Sequence, residues 1–141
     1  HNGSVLLNCR PWPENTADAD GRLVAVSNDG GLSFGVPWLD RRLWGADCAD
    51  GFAREIGGAE RLFFSGPRNN NTQCPWCRTH MAVLGSDNDG ETWSAPVSVW
   101  REEAAYSVLL GLRGGGMGLL YERGGVADHY HNVTFALLAT E

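Results

Sequence analysis

Ser27-Asn28-Asp29-Gly30-Gly31-Leu32-Ser33-Phe34 and Ser86-Asp87-Asn88-Asp89-Gly90-Glu91-Thr92-Trp93 read as two copies of one pattern, S-x-D-x-G-x-[ST]-[WF], with Asn88 standing for the Asp in the second copy. The copies lie 59 residues apart, and each follows one apolar run and precedes another. The residue types suit a β-turn. Asp or Asn accepts hydrogen bonds from nearby backbone N–H groups, Gly supplies positive φ, and the final aromatic tucks under the turn. A repeated, aromatic-anchored turn between strands is a propeller-blade signature.

Short period-two or continuous apolar runs separated by Gly/Asn/Asp clusters extend that reading along the chain. They predict strands over Ser4–Asn8, Arg22–Ser27, Arg61–Ser65, Thr79–Ser86, Val97–Trp100, Tyr106–Leu112, Gly118–Glu122 and Asn132–Ala139. Leu39–Asp47 offers at most one helical turn. Gly114-Gly115-Gly116 separates two apolar runs and reads as a tight hairpin; it lacks the GxxxxGK[ST] or GxGxxG spacing of a phosphate loop. The fold expected is all-β.

Composition agrees. The 141 residues fit one domain, and 19 Gly with 6 Trp suit a turn-rich β protein. Lys+Arg is 11, every one an Arg, against 17 Asp+Glu, for a net charge of −6. An acidic chain argues against nucleic acid as partner, because phosphate binding needs a basic face. No apolar run approaches the roughly 18 residues of a transmembrane segment. The chain starts without Met and enters a strand almost at once, which reads as a start in the middle of a larger protein. Four cysteines (Cys9, Cys48, Cys74, Cys77) leave three pairings open. With N-x-[ST] acceptors at Asn2, Asn70 and Asn132 they suggest a lysosomal or secreted protein, the alternative being cytoplasmic or membrane-associated. Cys74-Pro-Trp-Cys77, followed by His80, has no diagnostic fourth ligand and no βαβ context, so no metal site is assigned.

The repeated octapeptide resembles the Asp-box of sialidases, which are six-bladed β-propellers, and further segments carry the resemblance in order. Gly3–Arg10 (GSVLLNCR) looks like that family's strand ending in N-x-R. FFSGP at 63–67 looks like its F-S-N-P segment, with Gly66 where Asn is usual. Arg78 lies fifteen residues before Trp93, where the family places another Arg. AAYSVLLGL at 104–112 resembles its Y-S-x-L strand, and GLLYERG at 118–124 its L-Y-E-x-G strand. The resemblance covers essentially the whole chain. It implies the C-terminal part of a sialidase propeller domain over residues 1–141, about two to three blades, with Asp-boxes at 27–34 and 86–93. These boxes are structural fasteners in the family and do no chemistry.

The resemblance also implies roles. Arg10 and Arg78 would hold the carboxylate of sialic acid, for which the planar fork of Arg is better suited than Lys. Arg68, directly after S-G-P, rivals Arg78. Tyr106 would be the nucleophile of a retaining exo-α-sialidase. The anomeric carbon bears a carboxylate that repels an anionic Asp or Glu, whereas a neutral phenol avoids that repulsion. A phenol ordinarily titrates near about pH 10 and needs a base, a Glu in the family. Glu122 would orient the family's first Arg. That Arg, the base Glu and the Asp acid/base match no residue of this sequence, and they would fall before residue 1. The 141 residues alone are therefore expected to be inactive. His129-Tyr130-His131 reads as a polar loop, with Tyr130 near the sugar. Expected partners are sialylated glycoconjugates (glycoproteins, gangliosides, oligosaccharides), with no cofactor and no metal. The alternatives are a trans-sialidase, in which a sugar hydroxyl replaces water, and a non-catalytic Asp-box propeller that binds glycans or proteins.

Overall fold

The computed structural model describes residues 3–11, 21–46, 48–69, 77–125 and 128–139. Asn2, Asp47, Asn70 and Cys74 lie outside the described residues. The chain divides into two compact units, His1–Trp44 and Gly45–Glu141.

The first unit is a three-stranded antiparallel sheet in the order β1 (Val5–Cys9), β2 (Arg22–Ser27), β3 (Trp38–Asp40). Central strand β2 buries Val24 and Ala25. The buried Arg22 at its start donates from Nε to Asn8 Oδ1 at 2.8 Å, so a charge inside the sheet has a polar partner on β1. At the end of β3, the buried Asp40 accepts from the Arg42 N–H at 3.0 Å and caps a 3-10 turn, Arg41–Leu43. The helical turn expected over Leu39–Asp47 is thus this shorter one. Leu39 and Asp40 pair in β3, where Leu39 faces Leu23.

The second unit is an antiparallel run in sequence order: β4 (Gly51–Arg54), β5 (Leu62–Pro67), β6 (Thr79–Ser86), β7 (Val97–Gly111), β8 (Met117–Gly125) and β9 (Asp128–Leu138). Strand β7 serves two sheets. Its N-terminal half pairs with β6 (Val83↔Val97 to Thr79↔Glu103), and its C-terminal half pairs with β8 (Ala104↔Arg123 to Gly111↔Met117). The second unit is therefore two meanders, β4–β7 and β7–β9, joined through one strand. The expectation of separate strands at Val97–Trp100 and Tyr106–Leu112 is corrected. Arg101-Glu102-Glu103 is polar because two of its three side chains face solvent, not because the strand ends there. β3 and β4, three and four residues long, were too short for a periodic signal.

The main core lies between the two meanders: Phe63, Met81, Val83, Ala104, Leu109, Met117, Leu119 and Tyr121. Burying each large apolar side chain of this set contributes about 1.5–3 kcal/mol. Glycine lets the backbones close over it. A Cβ on Gly51 would lie 2.8 Å from Leu109 N, and one on Gly111 would lie 2.5 Å from Arg54 O. Ser107 pins the same seam. Its hydroxyl accepts from Gly51 N–H at 3.1 Å, donates to Ser65 O at 3.1 Å and meets Ser65 Oγ at 2.9 Å. With Ser65 as donor in the last bond, the single proton and both lone pairs of this buried hydroxyl are used.

The two octapeptides carry matching hydrogen bonds. Ser27 Oγ accepts from Gly31 N–H at 2.8 Å and Ser86 Oγ from Gly90 N–H at 2.9 Å. Asp29 Oδ1 accepts from Ser33 N–H at 2.9 Å and Asn88 Oδ1 from Thr92 N–H at 2.8 Å. Trp93 packs against Phe52 and Phe64, with ring centroids at 6.2 and 6.4 Å. Gly114, Gly115 and Gly116 all have positive φ (96°, 97° and 84°), which explains three successive glycines between β7 and β8.

All-β architecture in antiparallel meanders is the partial β-propeller that the sequence led us to expect. Among the described residues no helix is long and apolar enough to cross a membrane.

Two outcomes follow. Ser107→Ala strands the Gly51 N–H and the Ser65 hydroxyl in a buried seam, and should cost about 1–3 kcal/mol, read as a lower urea midpoint. The second outcome concerns acid. The Asp29 carboxylate is held well below its usual range, first by the Ser27 hydroxyl and then by the Ser33 hydroxyl and N–H. A depressed folded-state pKa gives stability that is present above about pH 4 and lost as pH falls below it. Asn88 does not titrate. Wild type should therefore lose stability relative to Asp29→Asn between pH 6 and pH 2, measured by urea unfolding of both proteins.

Candidate active site

Arg78 and Tyr106 are brought together by the backbone. Arg78 directly precedes β6, and its carbonyl accepts from Ala104 N–H at 2.8 Å, two residues before Tyr106 on β7. The Arg78 guanidinium carbon then lies 5.2 Å from the Tyr106 ring centroid. On β9 Tyr130 closes the group. Its hydroxyl accepts from Arg78 Nη1 at 2.5 Å, and its ring centroid is 6.3 Å from that of Tyr106. Tyr106 is 38% exposed and Tyr130 54%, so a ligand reaches both rings from solvent.

Supporting groups hold Tyr130 in turn. Asp128 accepts from the Tyr130 N–H at 3.0 Å and pairs with His131 at 3.2 Å. The Tyr130 N–H, with the His131 bond second, keeps the Asp128 carboxyl below its usual range. His129 stacks edge-on against Tyr130 at 5.8 Å, and its Nδ1 meets the Glu103 carboxylate. The Arg78 guanidinium is raised above its ordinary value. Burial pulls it down, and Cys48, a hydrogen bond with Tyr106, and the charges of Tyr130 and Tyr106 outweigh that pull. It therefore stays a permanent cation.

Glu122 on β8 completes the described site. Its Oε2 accepts from the Tyr106 backbone N–H at 3.2 Å. Of the residues singled out from sequence, Arg78, Tyr106 and Glu122 thus meet in the second unit. Arg10 follows β1 in the first unit and is exposed. The arrangement offers an exposed phenol beside a fixed guanidinium, a pairing that can bind an anion next to a nucleophile.

Comparison with known proteins bears on that chemistry. No protein-family profile matches the chain. A sialidase of Micromonospora viridifaciens is 34% identical over 143 residues, covering 96% of this chain and 21% of that sialidase. The chain is a sialidase homologue. It spans about a fifth of the length of the relative it matches.

Solved structures agree on the fold of the sialidase homologue. The intramolecular trans-sialidase from Ruminococcus gnavus, in complex with oseltamivir carboxylate, superposes with a TM-score of 0.59 at 18% identity, covering 96% of this chain and 30% of that one. A mutant of Trypanosoma rangeli sialidase displaying trans-sialidase activity gives a TM-score of 0.65 at 21% identity, covering 97% and 21%.

Arg68, the rival of Arg78, is buried at 7% exposure, with its guanidinium carbon 6.0 Å from the Phe64 ring centroid. Where the sialidase pattern has Asn, Gly66 leaves room for another side chain. A Cβ there would lie 2.4 Å from Asp50 Oδ1, so the Asp50 carboxylate fills that space. Cys77 is disulfide-bonded, while Cys9 and Cys48 are outside any disulfide. Among the described residues no cluster of His, Cys, Asp and Glu could hold a metal ion. Sequence reasoning placed Tyr130 near the sugar but did not see its bond to Arg78. It missed His129 and Glu103 as partners. A Tyr between two His in a polar stretch gives no signal of what lies across the sheet.

Tyr130→Phe keeps the ring beside Tyr106 and removes the acceptor of the Arg78 bond. The bond is partly exposed, so the stability cost should stay below about 1 kcal/mol. The Arg78 side chain should lose order, seen as faster motion of its Nε–H in NMR relaxation.

Proposed function

We propose that this chain contributes to the active site of a retaining exo-α-sialidase that releases terminal sialic acid from glycoconjugates. The observation that carries the reading is the Arg78 guanidinium fixed over the exposed Tyr106 ring, within a chain homologous to a sialidase along nearly its whole length. The substrate carries a carboxylate on the very carbon that reacts. A cation that binds this carboxylate beside a neutral phenol brings the anomeric carbon to the nucleophile.

In the first step the Tyr106 oxygen bonds to the anomeric carbon as the bond to the leaving oxygen breaks. The phenolic proton passes to a base and the leaving oxygen takes a proton from an acid. The sialidase resemblance gives these roles to a Glu and an Asp that match no residue of this sequence. In the second step water attacks the same carbon and gives a proton to the group that acted as acid, the Tyr106–carbon bond breaks, and the phenol recovers its proton from the base. Two inversions retain the configuration. Arg78 holds the carboxylate through both, and the sialidase resemblance gives Arg10 the role of a second arm. Tyr130 and Asp128 keep Arg78 aimed. A sugar hydroxyl in place of water would make the same site a trans-sialidase.

The test is kinetic, on the intact protein with a fluorogenic sialoside. Tyr106→Phe should lower kcat by on the order of 10³ or more. A fluorinated sialoside that slows the second step should add its mass to the peptide holding Tyr106 in wild type only. Arg78→Lys keeps the charge but loses the fork, and should reduce kcat/KM by about tenfold or more. Full turnover by Tyr106→Phe would refute the assignment.

A further inference from the structure

The register between β7 and β8 slips at the site. Ala104 faces Arg123 and Ser107 faces Tyr121, so Ala105 and Tyr106 together oppose the single residue Glu122. This is a β-bulge, in which one strand carries an extra residue, the ladder is interrupted and the side chain is re-aimed. Burial changes phase at the same place. Ala104 and Ala105 are both buried, and strict alternation resumes with Tyr106 exposed and Ser107 buried. The bulge takes the Tyr106 N–H out of the ladder. The Glu122 carboxylate accepts it from the strand opposite. Its partner here is a backbone amide.

We propose that Glu122 is a positioning residue for Tyr106: its carboxylate caps the N–H freed by the bulge and so fixes the direction in which the phenol leaves β7. The geometry supplies both halves of the device. Ser107, one residue on, is locked to Ser65 and Gly51, and Ala104, two residues back, is bonded to the Arg78 carbonyl. Between those anchors the Tyr106 N–H is held by the Glu122 carboxylate. A carboxylate acceptor makes a stronger bond than a neutral one. The position of the phenol relative to Arg78 then depends on a side chain that never touches the substrate. The functional half of this inference rests on Tyr106 being the nucleophile; the structural half does not.

Two variants separate this role from that of a counter-charge to an arginine. Glu122→Gln removes the charge and keeps a side-chain carbonyl that accepts the N–H; Glu122→Leu removes the acceptor at similar volume. By amide hydrogen exchange in the intact protein, the Tyr106 N–H should exchange at least about tenfold faster in the Leu variant than in wild type, with Gln between. In the intact protein kcat of the Gln variant should exceed that of the Leu variant about tenfold, with KM for the sialoside little different between them. Tyr106 exchange unchanged in the Leu variant would overturn the cap. Equal loss of kcat in Gln and Leu would overturn the positioning role, because it would trace the effect to charge. Wild type without sialoside turnover would refute the sialidase reading, and the exchange measurement would still decide the cap.

Discussion

The hydroxyl of Ser107 is the point on which the second unit depends. One side chain joins β7 to the start of β4 and the middle of β5, with its donor and both acceptor sites used inside a seam too narrow for a side chain at Gly51. Removing such a buried partner leaves others unsatisfied, which is why it constrains more than a typical bond. The consequence reaches the surface one residue away. Because Ser107 cannot move, Tyr106 leaves the strand from a fixed base, and Arg78, held through Ala104, faces it from the next strand.

Bulges on β7 flank this point toward both of its neighbours. Opposite β8 the extra residue frees the Tyr106 N–H, and opposite β6 the register slips between Thr79 and Met81, where Arg101 and Glu102 face the single residue His80, at a φ of 62°. Regular strands would march their side chains straight across the sheet. The two irregularities turn Arg78 and Tyr106 toward each other, so the deviation from ideal pairing is what assembles the candidate site. The ladder bonds lost there are replaced by a carboxylate at Tyr106 and by Arg68 N–H to His80 O at 2.9 Å.

Much of this was legible in the sequence where the signal is local. The octapeptides at 27–34 and 86–93 announce turns because their Ser, Asp, Asn and Gly bond within the octapeptide itself. Arg22–Ser27 and Thr79–Ser86 read correctly to the residue because their apolar content is continuous. Arg78, Tyr106 and Glu122 were singled out through the resemblance to the sialidase family, not through any local property of each residue. What stayed hidden depends on partners far along the chain. β4 is four residues recognisable only by what it packs against, and Tyr130 matters because Arg78, 52 residues earlier, reaches it. The bulge at Tyr106 leaves no mark in a one-dimensional string, since it is a property of two strands together.

Strand β7 is one continuous 15-residue segment serving two sheets. The repeating unit of sequence runs from turn to turn, whereas the closed unit of hydrogen bonding ends in mid-strand near Glu103 and Ala104. The two boundaries are out of step by half a strand. A gene-level duplication or exchange that cuts at the turns therefore moves half of one sheet along with half of the next. Each copied segment arrives with an unfinished edge that only its neighbour can complete. Such a protein grows or shrinks in whole interlocked steps, and its sheets cannot be shuffled like beads.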